Sequence, residues 1–131
     1  MITVINKMLP RNQIIAIKSK SIPFNLASIK TVPHSTGYYE FYDGNKFLYI
    51  GVAGSKGHVG DLHHRLLSYQ ESDKFVNDNG HQQSKLQLRK YIDHKANITV
   101  KYHITSIDNA RRIEHQRKDL ALFNQDNKRN V

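Results

Sequence analysis

The stretch STGYYEFYDGNKFLYIGVAG, residues 35–54, decides how this chain folds. It carries Tyr38, Tyr39, Tyr42 and Tyr49, four of the chain's seven tyrosines, with Gly37 before them and Gly51 after. GYYEFY and FLYIGVA are rich in aromatic and β-branched residues, which suit a pleated surface, and the DGN between them is a strong hairpin signal. Side chains on paired strands alternate faces, so the loop decides which tyrosines meet. A two-residue Gly44-Asn45 loop pairs Asp43 with Lys46 and sends Tyr39 and Tyr49 to opposite faces. A three-residue loop of Asp43, Gly44 and Asn45 pairs Tyr42 with Lys46 and sets Tyr39 directly across from Tyr49. Such a loop needs a left-handed residue near its end, which Gly44 or Asn45 supplies. The expectation is a shared face for Tyr39 and Tyr49, with an odd-length loop or a bulge around Asp43–Lys46.

Outward from the hairpin, GSKGHVG (54–60) has three glycines and reads as an irregular loop. Asp61 is placed to cap a helix over LHHRLLSYQ. After a polar loop containing NDNG, Ser84 is placed to cap a second helix, KLQLRKYIDH. NITVKYHI (97–104) alternates Ile98, Val100, Tyr102 and Ile104 and reads as a third strand. Ser106 opens a last helix, IDNARRIEHQRKDLALF. Upstream, residues 1–36 read as an irregular segment with a short apolar run, IIAI (14–17), and a short helix around FNLASIK. The expected architecture is α+β: a three-stranded antiparallel sheet packed with helices in the order β-β-α-α-β-α. It forms one domain over 1–131, in which 1–32 is a basic N-terminal lead-in.

A chain of 131 residues has room for one real core without staples. It has no cysteine, which excludes disulfides, thiolate metal sites and thiol nucleophiles. The opening MITVINKMLPRNQ lacks the apolar run of a signal peptide, and no stretch approaches the roughly 18 apolar residues of a membrane span. A cytoplasmic protein with no membrane partner is expected. The formal charge is +9 and the pI about 9.8. Residues 1–39 hold Lys7, Arg11, Lys18, Lys20 and Lys30 and no acid, and residues 81–131 hold eleven basic residues against five acidic. An excess of this size favours a polyanion, nucleic acid above all.

The tyrosine pattern goes further. GYY, then the span from Tyr39 to Tyr49, then YIG resemble the paired triplets of the GIY-YIG nuclease family. The first triplet departs at Tyr38, where Ile or Val is usual; the second matches letter for letter. DLHHRLLSY is similar to the family's first helix, an arginine followed four residues on by a histidine or tyrosine, here Arg65 and Tyr69. ARRIE is similar to its alanine-then-glutamate signature and places Glu114. The wording VPHSTGYY, LYIG and RLLSY is nearest to the excision-repair type of that domain. The resemblance covers residues 32–127. The loop 52–60 is longer than the family's usual connection. LFNQDNKRN lacks the proline that usually precedes the family's asparagine, for which Asn127 is the best match and Asn124 and Asn130 are rivals.

The resemblance implies a divalent-metal-dependent endonuclease that hydrolyses DNA phosphodiesters through Tyr39, Tyr49, Arg65, Tyr69, Glu114 and Asn127. Physical chemistry gives several of these residues a task. Arg65 offers a bidentate fork for phosphate oxygens and borders the buried stripe of Leu62, Leu66 and Tyr69. Glu114 falls inside an apolar stripe of Ile107, Ala110, Ile113, Leu120 and Ala121, where a carboxylate needs a partner or a cation. Arg117 is the structural candidate; the resemblance implies instead that Glu114 holds Mg²⁺, or Mn²⁺. A phenol near pKa 10 is a poor base, but beside a cation and Arg65 its anion is favoured, and either Tyr39 or Tyr49 fits that part. His58, His63 and His64 invite a metal-site reading. Adjacent His63 and His64 point about 100° apart on a helix, however, and no HExxH occurs, so they read as surface or phosphate-contacting residues. Two rivals remain: the same chemistry on RNA, and a non-catalytic basic module that binds nucleic acid. No recognition motif accompanies the core, so target specificity and oligomeric state (unknown) are not set by the sequence.

Overall fold

The computed structural model describes residues 18–54, 60–70, 83–93 and 97–124. In chain order these form β1 (Lys18–Pro23), α1 (Leu26–Ile29), β2 (Gly37–Asp43), β3 (Lys46–Ala53), α2 (Leu62–Ser68), α3 (Gln83–Asp93), β4 (Ile98–Ile104) and α4 (Ile107–Arg117). The α+β class is as expected, but the antiparallel sheet has four strands, in the order β1-β4-β2-β3, where three were expected. The added strand is KSKSIP, inside the segment read as a lead-in. Only Ile22 of it is buried, so no alternating pattern advertises it. Its ladder with β4, Lys18 opposite Ile104 through Pro23 opposite Thr99, holds it in place. Exposed lysines and a terminal proline are what a sheet edge tolerates.

The hairpin combines both alternatives. Asp43 pairs with Lys46 across a two-residue turn, with Gly44 at φ 61°. Tyr42 pairs with Phe47, and then the register shifts: Phe41 lies opposite Tyr49, Glu40 opposite Ile50 and Tyr39 opposite Gly51. Leu48 is the extra residue, a β-bulge. Tyr39, Phe41, Tyr49 and Gly51 therefore share one face, as expected for the two phenols. They are offset, though, and Tyr39 faces Gly51 rather than Tyr49.

That face carries the main core, where Tyr39, Phe41, Tyr49 and Ala53 meet Ile29, Leu62, Leu66, Tyr69, Leu88 and Ile92 from α1, α2 and α3. Three anchors set these helices. Asp61 caps α2 by accepting the His64 N–H at 2.9 Å, the Arg89 guanidinium donates to the Tyr69 carbonyl, and the Tyr91 hydroxyl donates to Asp43 at 2.6 Å. The helix α3 is described from Gln83, and the side chain of Ser84, expected to cap it, lies outside the described residues. On the opposite face Tyr38 and Ile50 pack with Ala110 and Ile113 of α4, which Ser106 caps. Among the described residues no helix is long and apolar enough to cross a membrane.

α4 ends earlier than its sequence pattern predicts. The chain tightens to a 3₁₀ turn over Lys118–Leu120 and Ala121 is extended, so Leu120 leaves the apolar stripe and is 65% exposed. The bulged strand claims the residues beyond that turn. The N–H groups of Leu122 and Phe123 donate to the carbonyls of Phe47 and Leu48, at 3.0 and 2.8 Å, closing the open side of the bulge. Buried Asn124 then clamps Ile50, accepting its N–H at 2.7 Å and donating to its carbonyl at 2.9 Å. Asn124→Ala strips both partners from a buried peptide group. It should cost about 2–6 kcal/mol in urea unfolding, from about 1–3 kcal/mol for each of two orphaned groups; a loss within experimental error would show that the clamp is dispensable.

Candidate active site

Tyr39, Tyr49 and Tyr69 come together from β2, β3 and the residue that ends α2. The Tyr39 and Tyr69 hydroxyls are 2.8 Å apart, and the Tyr49 and Tyr69 rings meet edge to face, 6.4 Å centre to centre. Exposure is 1% for Tyr39, 7% for Tyr49 and 0% for Tyr69. Gly51 makes this packing possible, since a Cβ there would overlap the Tyr39 ring.

Arg65 lies one helical turn before Tyr69. Its Nε is buried and, among the described residues, makes no hydrogen bond, beside a Gly60 whose φ is 137°. Glu114 is half-buried on α4, and among the described residues its carboxylate has neither hydrogen bond nor ion pair. Burial pushes the Glu114 carboxyl up from its ordinary value, against the opposing charges of Lys118, His115 and Arg111. Both Tyr39 and Tyr49 feel the two groups: Arg65 favours their anions and Glu114 opposes them. Glu114 does so from a helix whose apolar contacts are with the other face of the hairpin. Asn127 and Asn130 lie outside the described residues; Asn124 has the structural post at Ile50.

Arg117, the structural candidate to pair with Glu114, is bound to Glu40 instead, with Nε and a terminal nitrogen 2.9 and 2.8 Å from the same carboxylate oxygen. Burial pushes Tyr39 and Tyr49 above the usual phenol range, outweighing Arg65, and it raises Tyr69 well above it. Tyr38, on the other face, is pushed up to about 12 by burial and by Glu40.

The sequence reading missed a second polar cluster. Glu40 points to the α4 side between two neighbours that point to the core. His103 donates Nε2–H to it at 2.9 Å, and the Ser19 hydroxyl donates to His103 Nδ1 at 2.7 Å. Burial would push the Glu40 carboxyl up, but the His103 hydrogen bond and the Arg117 charge hold it below its ordinary value. An acid in the middle of an aromatic strand was the available signal, and its partners are 63 and 77 residues away. Comparison with known protein families, with curated proteins and with solved structures returned no match.

Because the folded-state pKa of Tyr49 is raised, its contribution is fully present below the unfolded phenol value of about 10 and is lost as pH rises beyond it. Stability measured by urea unfolding should therefore fall above that pH, and Tyr49→Phe should fall less steeply. Equal slopes for the two proteins would show that Tyr49 ionises as readily folded as unfolded.

Proposed function

We propose that this chain is a divalent-metal-dependent endonuclease that hydrolyses DNA phosphodiesters, as its resemblance to GIY-YIG nucleases implies. The observation that carries this reading is a cation and an anion that act on one cluster of phenols and, among the described residues, form no ion pair. Arg65 and Glu114 both lack ion partners among the described residues, and both act on Tyr39 and Tyr49. A folded protein that needed only stability would pair such groups. A phosphodiester and a cation are what would satisfy them.

The residues fit a hard cation. Glu114 offers carboxylate oxygens that no hydrogen bond or ion pair occupies among the described residues, and Mg²⁺ commonly sits on one or two carboxylates, substrate phosphate and water. Glu114 would hold Mg²⁺ or Mn²⁺, which supplies Lewis-acid neutralisation of phosphate charge. Arg65 takes phosphate oxygens in its fork. Tyr39 and Tyr49 serve as neutral hydrogen-bond donors at the phosphate and, through Tyr69, pass protons along rather than act as standing bases. The net charge of +9 draws the polyanion in. RNA cleavage by the same chemistry is the enzymatic rival. The near-complete burial of Tyr39 and Tyr69 favours the other rival, a non-catalytic basic module.

The test is incubation with supercoiled plasmid, branched DNA and RNA, each with Mg²⁺ and with chelator. DNA should be cut only with metal. Glu114→Gln should abolish cleavage while keeping DNA binding, and it should hold or raise stability, since it removes a charge that burial opposes. Binding without cutting of any substrate by the parent protein would leave the module. Cleavage by Glu114→Gln at the parent's rate would remove the carboxylate from the site.

A further inference from the structure

Beside the phenol cluster, two chain segments bring together ligands that the sequence keeps 27 residues apart. His34, Asp61 and His64 each turn one ligand atom into a common space, all three within 4.8 Å of one another. The His34 Nδ1–H donates to Asp61 Oδ2 at 3.0 Å, and the His64 Nδ1–H donates to Asp61 Oδ1 at 3.0 Å. We propose that this trio binds a divalent transition metal of the imidazole-preferring class, with Zn²⁺ as its representative.

The donor set selects the ion. Two imidazoles and one carboxylate leave a fourth position for water, the ligand count of an open zinc site, and imidazole donors suit Zn²⁺, Ni²⁺ or Cu²⁺ rather than Mg²⁺. Each histidine nitrogen stands 3.0 Å from an Asp61 oxygen, close to the roughly 3.3 Å that bonds of about 2.0–2.1 Å put between neighbouring tetrahedral ligands. Each histidine needs only to move its proton to Nε2 to release the Nδ1 lone pair. Asp61 and His64 stand three apart at the start of α2 and so share a side of it, whereas His63 points elsewhere.

His63 orients the others. Its Nδ1–H donates to the Val32 carbonyl at 2.7 Å, and its ring stacks on His34 with centroids 4.1 Å apart. The Leu62 N–H donates to the Ser35 carbonyl at 2.8 Å, and the His64 N–H holds Asp61 at 2.9 Å. Both ligand-bearing segments are thus tied together without an ion, the kind of support that fixes ligand direction. The side chains of His34 and His64 remain 59% and 52% exposed, so an ion can reach them. One segment runs on into β2 and Tyr39, the other into Arg65 and Tyr69. A bound ion would clamp the two carriers of the phenol cluster without touching it, and this site is separate from Glu114.

Zn²⁺ titration of the untagged chain near neutral pH, in competition with a chromophoric chelator, tests the site whether or not the protein cuts DNA. One Zn²⁺ should bind per chain. His34→Ala and His64→Ala should each weaken it by at least the roughly 10–100-fold that loss of an outer-shell partner costs. Asp61→Asn, which keeps a capping oxygen and removes the charge, should weaken it too. His115→Ala, exposed on α4, should not. In imidazole proton NMR of the parent protein, Zn²⁺ should perturb His34 and His64 before His115, a readout that needs no variant. Failure to bind one ion, unchanged affinity in the His34 and His64 variants, or perturbation of His115 first would each overturn the proposal.

Discussion

The rest of the structure depends on a single extra residue in β3. Leu48 shifts the hairpin register between Tyr42 and Phe41, and that shift puts Tyr49 and Gly51 on the face of Tyr39. A regular hairpin on the same two-residue turn would set Phe41 against Leu48 and turn Tyr49 towards α4, because the side-chain period is two. The bulge leaves carbonyls of Phe47 and Leu48 on the open side of the strand, and the chain's own later segment takes them up through Leu122 and Phe123. This is why α4 stops at Arg117. A longer helix would carry these N–H groups, and Asn124 with them, away from β3.

The two faces of the hairpin then solve opposite electrostatic problems. On the α4 face, a buried carboxylate is kept charged by His103 and Arg117. On the other, three phenols are kept neutral by burial, and Tyr39 and Tyr69 share a hydrogen bond. Tyr39 and Glu40 are adjacent in sequence, and only the alternation of the strand separates these environments. Arg65 and Glu114 are left without ion partners among the described residues, and a site for an anionic ligand and a cation is the reading that gives both a use. The metal trio at His34, Asp61 and His64 lies where the segments bearing the phenols begin, so any ion there acts on the same cluster through the backbone.

Local signals were legible in the sequence where local chemistry decides the structure. The strands GYYEFYD and ITVKYHI and the Asp61 and Ser106 caps follow from alternation and capping oxygens, whereas the turn residues allow both registers of the hairpin and the bulge at Leu48 decides that Tyr39 and Tyr49 share a face. The features that were missed depend on distant partners. KSKSIP has one buried residue and is a strand only because β4 offers it a ladder. The apolar stripe through Leu120 predicts more helix than forms, since the bulged strand competes for the N–H groups of Leu122 and Phe123. Asn124 was a rival to Asn127 with no local feature to mark its hold on Ile50. The sequence sets His64 beside His63, whereas its companion across Asp61 is His34, 30 positions upstream.

Cross-strand proton contacts in a solution NMR spectrum test the register most directly. Contacts are expected between Phe41 and Tyr49 and between Tyr39 and Gly51, with Leu48 opposite no residue of β2. Contacts between Phe41 and Leu48, and between Glu40 and Tyr49, would mean a plain two-residue hairpin. Tyr49 would then face α4, and neither the phenol cluster nor the site built on it would exist.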